Sequence, residues 1–385
     1  MISRICLTVF ILFVSALQTV QATITVAAEQ PERYLPLLQG QRVGLVVNQT
    51  SRAHSLHLVD FLISKHIAVQ AVFAPEHGFR GKLGAGEKVT DGKDPKTGLP
   101  IRSLYGKHKK PSPDMLADID VLVFDIQDVG ARFYTYISTL HYVMEAAAEQ
   151  HIPLIVLDRP NPNGRFVDGP VRDPEFASFV GLDPIPLLHG MTVAELARMI
   201  KGEGWINAAQ DLSLTVIPVA QYNRSMHYPL PIAPSPNLPN HHAVRLYPSL
   251  CLFEATVVSV GRGTPWPFQV IGFDELPLGE FHFTPRPMPE SAPNPKLEGE
   301  LLYGALLQDS DIEGFDITLL HRVFTQFRQA GIPLIDRPDF FDLLSGTDRL
   351  RQQLESGMSA ADIRASWQAD LTAFKTRRQP YLLYP

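Results

Sequence analysis

Val121-Leu122-Val123-Phe124, followed at once by Asp125-Ile126-Gln127-Asp128-Val129-Gly130-Ala131-Arg132-Phe133-Tyr134, decides the fold of this chain. Four consecutive apolar residues leave a strand no polar face, which is the pattern of a parallel sheet covered on both sides. Two acids, an amide, an arginine and a tyrosine then follow. Open α/β sheets gather their ligand-binding groups at the carboxyl ends of the strands, so a site is expected at this junction.

Three other segments end in the same way. Residues 43–47 (Val-Gly-Leu-Val-Val) lead into Asn48-Gln49-Thr50-Ser51, and residues 69–74 into Pro75-Glu76-His77-Gly78. Residues 153–157 lead into Asp158-Arg159-Pro160-Asn161-Pro162-Asn163-Gly164. Between them, Leu56, Val59, Phe61, Leu62 and Ile63 mark one helix and residues 115–119 a short second one. Ile137, Leu140, Val143, Met144 and Ala147 fall on one face of a third. This alternation predicts an α/β fold, a parallel sheet with helices on both sides, which the family resemblance given below makes Rossmann-like. Thr192 and Glu195 form a capping box for a helix reaching about residue 201, and residues 212–219 read as a further strand. Residues 229–248 are proline-rich and read as irregular. A strand at 255–260 leads into Gly261-Arg262-Gly263-Thr264. A second, smaller C-terminal α/β domain is expected over residues 271–385, with an amphipathic helix around 343–354, leaving 23–270 for the Rossmann-like domain.

The first 22 residues read as an export signal, with Arg4 ahead of an apolar run and Val20-Gln21-Ala22 fitting a cleavage site. The run is short for a membrane span, which needs about 20 apolar residues, and no later segment is long and apolar enough to cross a membrane. A periplasmic or secreted protein is therefore expected, without stable membrane insertion after cleavage. Of the two cysteines, Cys6 leaves with the signal, and Cys251, among apolar neighbours, reads as an inert core thiol. Hydrophobic residues at 45% and charged residues at 19% suit a globular protein. The net charge of −6 and the lack of a basic stripe argue against a nucleic-acid partner. No dinucleotide fingerprint follows any strand: Gly84-Ala85-Gly86 lacks the third glycine and the strand-to-helix setting. There is no nucleophile elbow, and no His-x-x-x-His or comparable metal-ligand spacing. No cofactor and no metal are expected.

If the strand ends converge, they bring together Asn48, Glu76, His77, Asp125, Asp128, Arg132, Asp158 and Arg159. Two carboxyls in one cleft, one held protonated and one ionised, suit acid-assisted cleavage of an acetal. Arginine and asparagine suit a polyhydroxylated ligand bearing a carboxylate. Asn48 and Asp158 are equally well explained as turn formers or helix caps, and Asp125 as the buried partner of Arg132. Glu76 is harder to dismiss, because Pro75 and Gly78 fix a tight turn in which no turn preference favours glutamate.

Taken together, these segments resemble the NamZ-type exo-β-N-acetylmuramidases. The resemblance runs through Gly44-Leu45-Val46-Val47-Asn48-Gln49-Thr50-Ser51, Phe73-Ala74-Pro75-Glu76-His77-Gly78-Phe79-Arg80-Gly81, Asp94-Pro95-Lys96-Thr97-Gly98-Leu99-Pro100 and the opening stretch. It continues through Leu157-Asp158-Arg159-Pro160-Asn161-Pro162, His189-Gly190-Met191-Thr192-Val193, Pro234-Ser235-Pro236-Asn237, Tyr247-Pro248 with Cys251-Leu252-Phe253-Glu254, and Gly261-Arg262-Gly263-Thr264. It covers nearly the whole chain in the family's order. Trp266, before Pro267-Phe268, and Asn163 depart from the family pattern.

The resemblance implies a glycosidase that removes terminal N-acetylmuramic acid from the non-reducing end of peptidoglycan fragments, with its site in a cleft between the two domains. It makes Glu76 the best candidate acid. The second carboxylate is sought among Asp125, Asp128 and Asp158 on the strand-end argument. Arg132 or Arg262 would hold the lactyl carboxylate. His77, Tyr134, Asn161 and His189 would bind hydroxyls or the acetamido group, and Asn48, Asp158 and Glu254 complete the substrate-binding set. A non-catalytic cell-wall sugar receptor and a metal-dependent hydrolase are the competing readings.

Overall fold

The computed structural model describes residues 23–80 and 91–385; the stretch read as an export signal and Gly84-Ala85-Gly86 lie outside them. Its centre is a seven-stranded sheet in the order Leu214–Ile217, Leu154–Leu157, Val121–Asp125, Val43–Val47, Val69–Ala74, Pro100–Ser103, Gly92–Lys93. Every neighbouring pair is parallel except the two-residue edge strand Gly92–Lys93. The chain runs outward in one direction from Val43–Val47 and then returns to its other side with Val121–Asp125, so the switch point lies between these two strands.

The opening strand is buried along its length because each face meets a different core. Leu122 and Phe124 join the larger cluster with Leu140, Val143 and Met144 of the Tyr136–Glu149 helix. Val121 and Val123 join the smaller one with Leu58, Val59 and Leu62 of the Leu58–Ser64 helix. Thr192 caps the Val193–Gly202 helix in the expected box with Glu195.

The C-terminal part carries a three-stranded antiparallel sheet with Leu302–Leu306 between Val270–Phe273 and Phe281–Phe283. Helices Ile317–Ala330, Pro338–Ser345, Arg349–Ser356, Ala360–Ser366 and Gln368–Arg378 follow. It shares the larger core, since Phe327, Phe341 and Phe374 belong to the same cluster as Leu140 and Phe124. Among the described residues, no helix is long and apolar enough to cross a membrane.

Three readings of local structure differ from the observed one. Residues 229–248 are not irregular throughout: His241–Leu250 is a helix whose cap, Asn240, accepts from the Ala243 amide at 3.0 Å. Pro248 lies inside it and removes one donor, and Asn163 Nδ2 donates instead to the Val244 carbonyl, at 3.4 Å. The departure at Asn163 thus completes a proline-bearing helix. The strand expected at 255–260 is a 3₁₀ turn, Cys251–Ala255, followed by an isolated bridge from Ser259 to Gly272. The single helix around 343–354 is two, broken at Gly346, whose φ of 77° is left-handed.

The last residues fold back over the parallel sheet. The Tyr384 hydroxyl donates to Asp158 Oδ2 at 2.5 Å and accepts from the Val219 amide at 2.7 Å, while the Leu383 amide donates to Glu195 Oε1 at 2.6 Å. Tyr384→Phe leaves a buried carboxylate oxygen and a buried amide short of a partner. It is expected to destabilise the fold by about 1–3 kcal/mol, measured as a lower midpoint in urea.

Candidate active site

The strand-end turn Pro75-Glu76-His77-Gly78 closes through a hydrogen bond from the Gly78 amide to the Pro75 carbonyl at 3.0 Å. His77 at φ 68° and Gly78 at φ 76° are both left-handed, a conformation histidine tolerates better than most residues. Two successive left-handed residues turn the chain sharply and present Glu76, partly exposed, to a pocket with about 630 Å³ of empty space. Thr135 Oγ1 donates to Glu76 Oε2 at 2.8 Å. Burial first, then the charge and hydrogen bond of Glu76, push the Tyr105 phenol above its ordinary range.

The rest of the pocket comes from four places. The segment after the opening strand supplies Phe133, Tyr134, Thr135 and Tyr136; the proline-rich segment supplies Ser235, Asn237 and Leu238. Glu254, Arg262 and Phe268 come from the segment between the His241–Leu250 helix and residue 270, and the C-terminal part adds Phe340 and Leu344. The floor is a chain of edge-on aromatic contacts: Tyr134 with Tyr136 at 4.9 Å, Tyr134 with Tyr247 at 5.8 Å, and Tyr247 with Phe268 at 4.9 Å. Also lining this pocket is an ion pair, Arg262 Nη2 to Glu254 Oε1 at 2.6 Å. Cys251 also lines the pocket, and burial raises its thiol well above the ordinary range, which keeps it protonated and inert.

Of the candidate residues, Glu76, His77, Tyr134, Glu254 and Arg262 line this pocket. The other seven lie behind its wall, where they join strand ends to one another. Asn48 Oδ1 accepts from the amide and hydroxyl of Thr50, at 2.9 and 2.6 Å, in a local turn. Asp125 is paired with Arg159 rather than Arg132, through contacts of 2.6 and 2.9 Å, and is fully buried. Asp158 caps the Val193–Gly202 helix, accepting from Thr192 Oγ1 at 2.7 Å and the Ala194 amide at 3.0 Å. Asn161 donates to the Met191 carbonyl at 2.9 Å and accepts from the Asn163 amide at 2.8 Å. His189, fully buried, accepts from the Met191 amide at 3.2 Å, and burial pushes its pKa down to about 3, so it is neutral.

The search for a second carboxylate among the aspartates is therefore corrected. Asp125, Asp128 and Asp158 are sealed beneath the wall, and the second carboxylate in the pocket is Glu254. Asp128 Oδ2 accepts from the Gly130 amide at 2.7 Å, while its Oδ1 has no partner among the described residues. Burial pushes its pKa up to about 7, against the pull of the Gly130 and Val129 amides.

Arg132 is the second correction. It is 0% exposed and cannot reach a ligand in the pocket. Its guanidinium donates to the carbonyls of Pro170 at 2.8 Å, Ile185 at 3.0 Å and Leu344 at 2.9 Å. It therefore ties the segment carrying Phe133 to Tyr136 to the C-terminal helix end that supplies Leu344. A Cβ on Gly346 would lie 2.6 Å from Arg132 Nη2, so the helix break at this glycine makes room for the arginine.

Residue types alone did not single out Tyr136, Ser235, Asn237 and Phe268, since none is a strong catalytic side chain. Their signal is position beside the residues that carry the family resemblance: Tyr136 two after Tyr134, Ser235 and Asn237 within Pro234-Ser235-Pro236-Asn237, and Phe268 shortly after Gly261-Arg262-Gly263-Thr264. Among the described residues, no group of three or more His, Cys, Asp or Glu side chains is arranged to hold a metal ion.

Two variants test this division between wall and support. Arg132→Met removes a donor from three buried carbonyls, of which that of Ile185 keeps the Arg172 amide at 3.2 Å, and is expected to cost roughly 3 kcal/mol, read by chemical denaturation. Asp128 binds its proton more tightly in the folded chain than unfolded, where a carboxyl titrates near 4. Stability should thus fall as pH rises from about 4 through about 7 and level off above. Asp128→Asn should flatten that part of the wild-type profile; an unchanged slope would show that Asp128 is not its source.

Two family models, the N-terminal and C-terminal parts of the exo-β-N-acetylmuramidase NamZ, match residues 43–242 and 245–384. The chain is 40% identical over 379 residues to the peptidoglycan β-N-acetylmuramidase NamZ of Bacillus subtilis strain 168, covering 91% of this chain and 89% of that one. It is also similar to crystal structures of two DUF1343 family proteins from Bacteroides fragilis. One aligns with a TM-score of 0.85 and 42% identity, the other with 0.82 and 32%, each over 94% of this chain and 99% of its own. The chain belongs to the NamZ exo-β-N-acetylmuramidase family.

Proposed function

We propose that this member of the NamZ family is a glycoside hydrolase that releases terminal, non-reducing N-acetylmuramic acid from peptidoglycan-derived fragments. The observation that carries the reading is the placement of Glu76 and Arg262 in one pocket, on elements from opposite parts of the chain. N-Acetylmuramic acid offers what such a pocket needs: a glycosidic oxygen to be protonated and a lactyl carboxylate to be held.

Glu76 donates its proton to the leaving glycosidic oxygen, and Thr135 holds the carboxyl in position. Arg262 receives the lactyl carboxylate, a role Arg132 cannot take from beneath the wall. His77, Tyr134, Ser235 and Asn237 are placed to bind hydroxyls or the acetamido group, and the aromatic floor suits the apolar face of a sugar ring. The export-signal pattern of the first 22 residues supports placing the enzyme in the periplasm or outside the cell, where such fragments form.

Glu76→Gln keeps the shape of the side chain and removes its proton. It is expected to lower turnover of a chromogenic N-acetylmuramic acid glycoside by about 10²–10⁴-fold, with the fold intact by circular dichroism. Near-wild-type turnover would remove Glu76 from the mechanism. Product analysis on a muramic acid-terminated disaccharide should show the free monosaccharide. Stoichiometric binding with no sugar released would identify a receptor instead.

A further inference from the structure

Arg262 and Glu254 are not equally free to move. Arg262 follows Gly261 in a turn closed by the Thr264 amide and hydroxyl, both donating to the Gly261 carbonyl, at 3.1 and 2.6 Å. Its guanidinium carbon lies 5.3 Å from the centroid of Phe268. Phe268 itself is held at φ 54°, a costly conformation for an aromatic residue. Arg262 is therefore braced from behind.

The Glu254 main chain is also braced, since Lys296 and Arg337 both donate to its carbonyl. Its carboxylate is held more lightly. One oxygen meets Arg262, and the other meets the Cys251 thiol, a weak donor, at 3.7 Å. The pair also underuses the arginine: Nη2 is engaged, while Nε is buried with no acceptor among the described residues. A carboxylate seated squarely on the Nε–Nη2 edge would satisfy both donors.

We propose that Glu254 is an internal competitor that occupies the Arg262 fork until a ligand's own carboxylate takes its place, so that Arg262 sets the preference for a carboxylate and Glu254 tempers it. This rests on the muramic acid reading of the same pocket. A ligand carboxylate replaces a one-point contact by a two-point one, and the Glu254 side chain, 21% exposed, has solvent to swing into. A sugar without a carboxylate gains nothing from breaking the pair and leaves it closed. Selectivity thus comes from attraction to Arg262, and the internal competitor lowers the affinity gained from it.

The test is calorimetric titration of wild type, E254Q and R262A with N-acetylmuramic acid, its lactyl amide and N-acetylglucosamine. For wild type, the free acid should bind at least about fivefold tighter than the amide, and E254Q should widen that gap by about fivefold, the worth of a half-exposed ion pair. R262A should erase the preference. An E254Q gap equal to or smaller than that of wild type, or equal wild-type affinity for acid and amide, overturns the proposal. Where E254Q does not fold, E254A is titrated with the same ligands and read by the same criterion. Because binding is read without turnover, the hydrolase reading fails separately, by absence of released sugar from the wild-type enzyme.

Discussion

One buried arginine holds the two halves of the molecule in register. Arg132 spends its donors on carbonyls from the segment around Pro170 and Ile185 and from Leu344 at the end of a C-terminal helix. A cation with no exposed surface is costly unless its protons are met; here the two Nη groups find acceptors in both parts of the fold, while Nε has no partner among the described residues. Burial lowers its pKa to about 9, which still leaves it charged at neutral pH. The four residues that follow it, Phe133 to Tyr136, become pocket wall on one side, while Phe340 and Leu344 become wall on the other. The pocket exists because Arg132 sets the distance between these elements.

The same economy explains why so many polar residues at the strand ends never meet a ligand. A parallel sheet leaves the loops after Val43–Val47, Val121–Asp125 and Leu154–Leu157 side by side. Their backbone groups are too buried to be solvated and must be met from within. Gln127 donates to the carbonyls of Asp128 and Pro160, each at 2.7 Å; Thr50 Oγ1 accepts from the Gln127 amide at 3.0 Å; Arg159 neutralises Asp125. These side chains join three loops into a rigid base. The pocket lies to one side, over the Glu76 turn, where the C-terminal part supplies the opposing wall.

Much of this was legible in the residues. The apolar runs, the helical spacing from Ile137 to Ala147 and the capping box at Thr192 are local patterns, and the sheet and its helices follow them. Glu76 stood out because a glutamate between proline and glycine at a strand end has no local structural use. The misread elements all depend on distant partners. Pro248 sits in a helix because Asn163, far earlier in the chain, meets the freed carbonyl. Gly346 breaks a helix because Arg132 needs the room.

The sequence by itself determined the fold class and the family resemblance and singled out Glu76 as a candidate, because hydrophobic period, turn chemistry and motif order are properties of neighbouring residues. Only the tertiary structure decided which charged groups face a ligand. Asp125, Asp128, Asp158 and Arg132 look as functional as Glu76, Glu254 and Arg262 when written in a row. What separates them is burial and the identity of the group each one meets: the strand-end loops partner Asp125, Asp128 and Asp158, and the C-terminal part closes over Arg132 and Asp158.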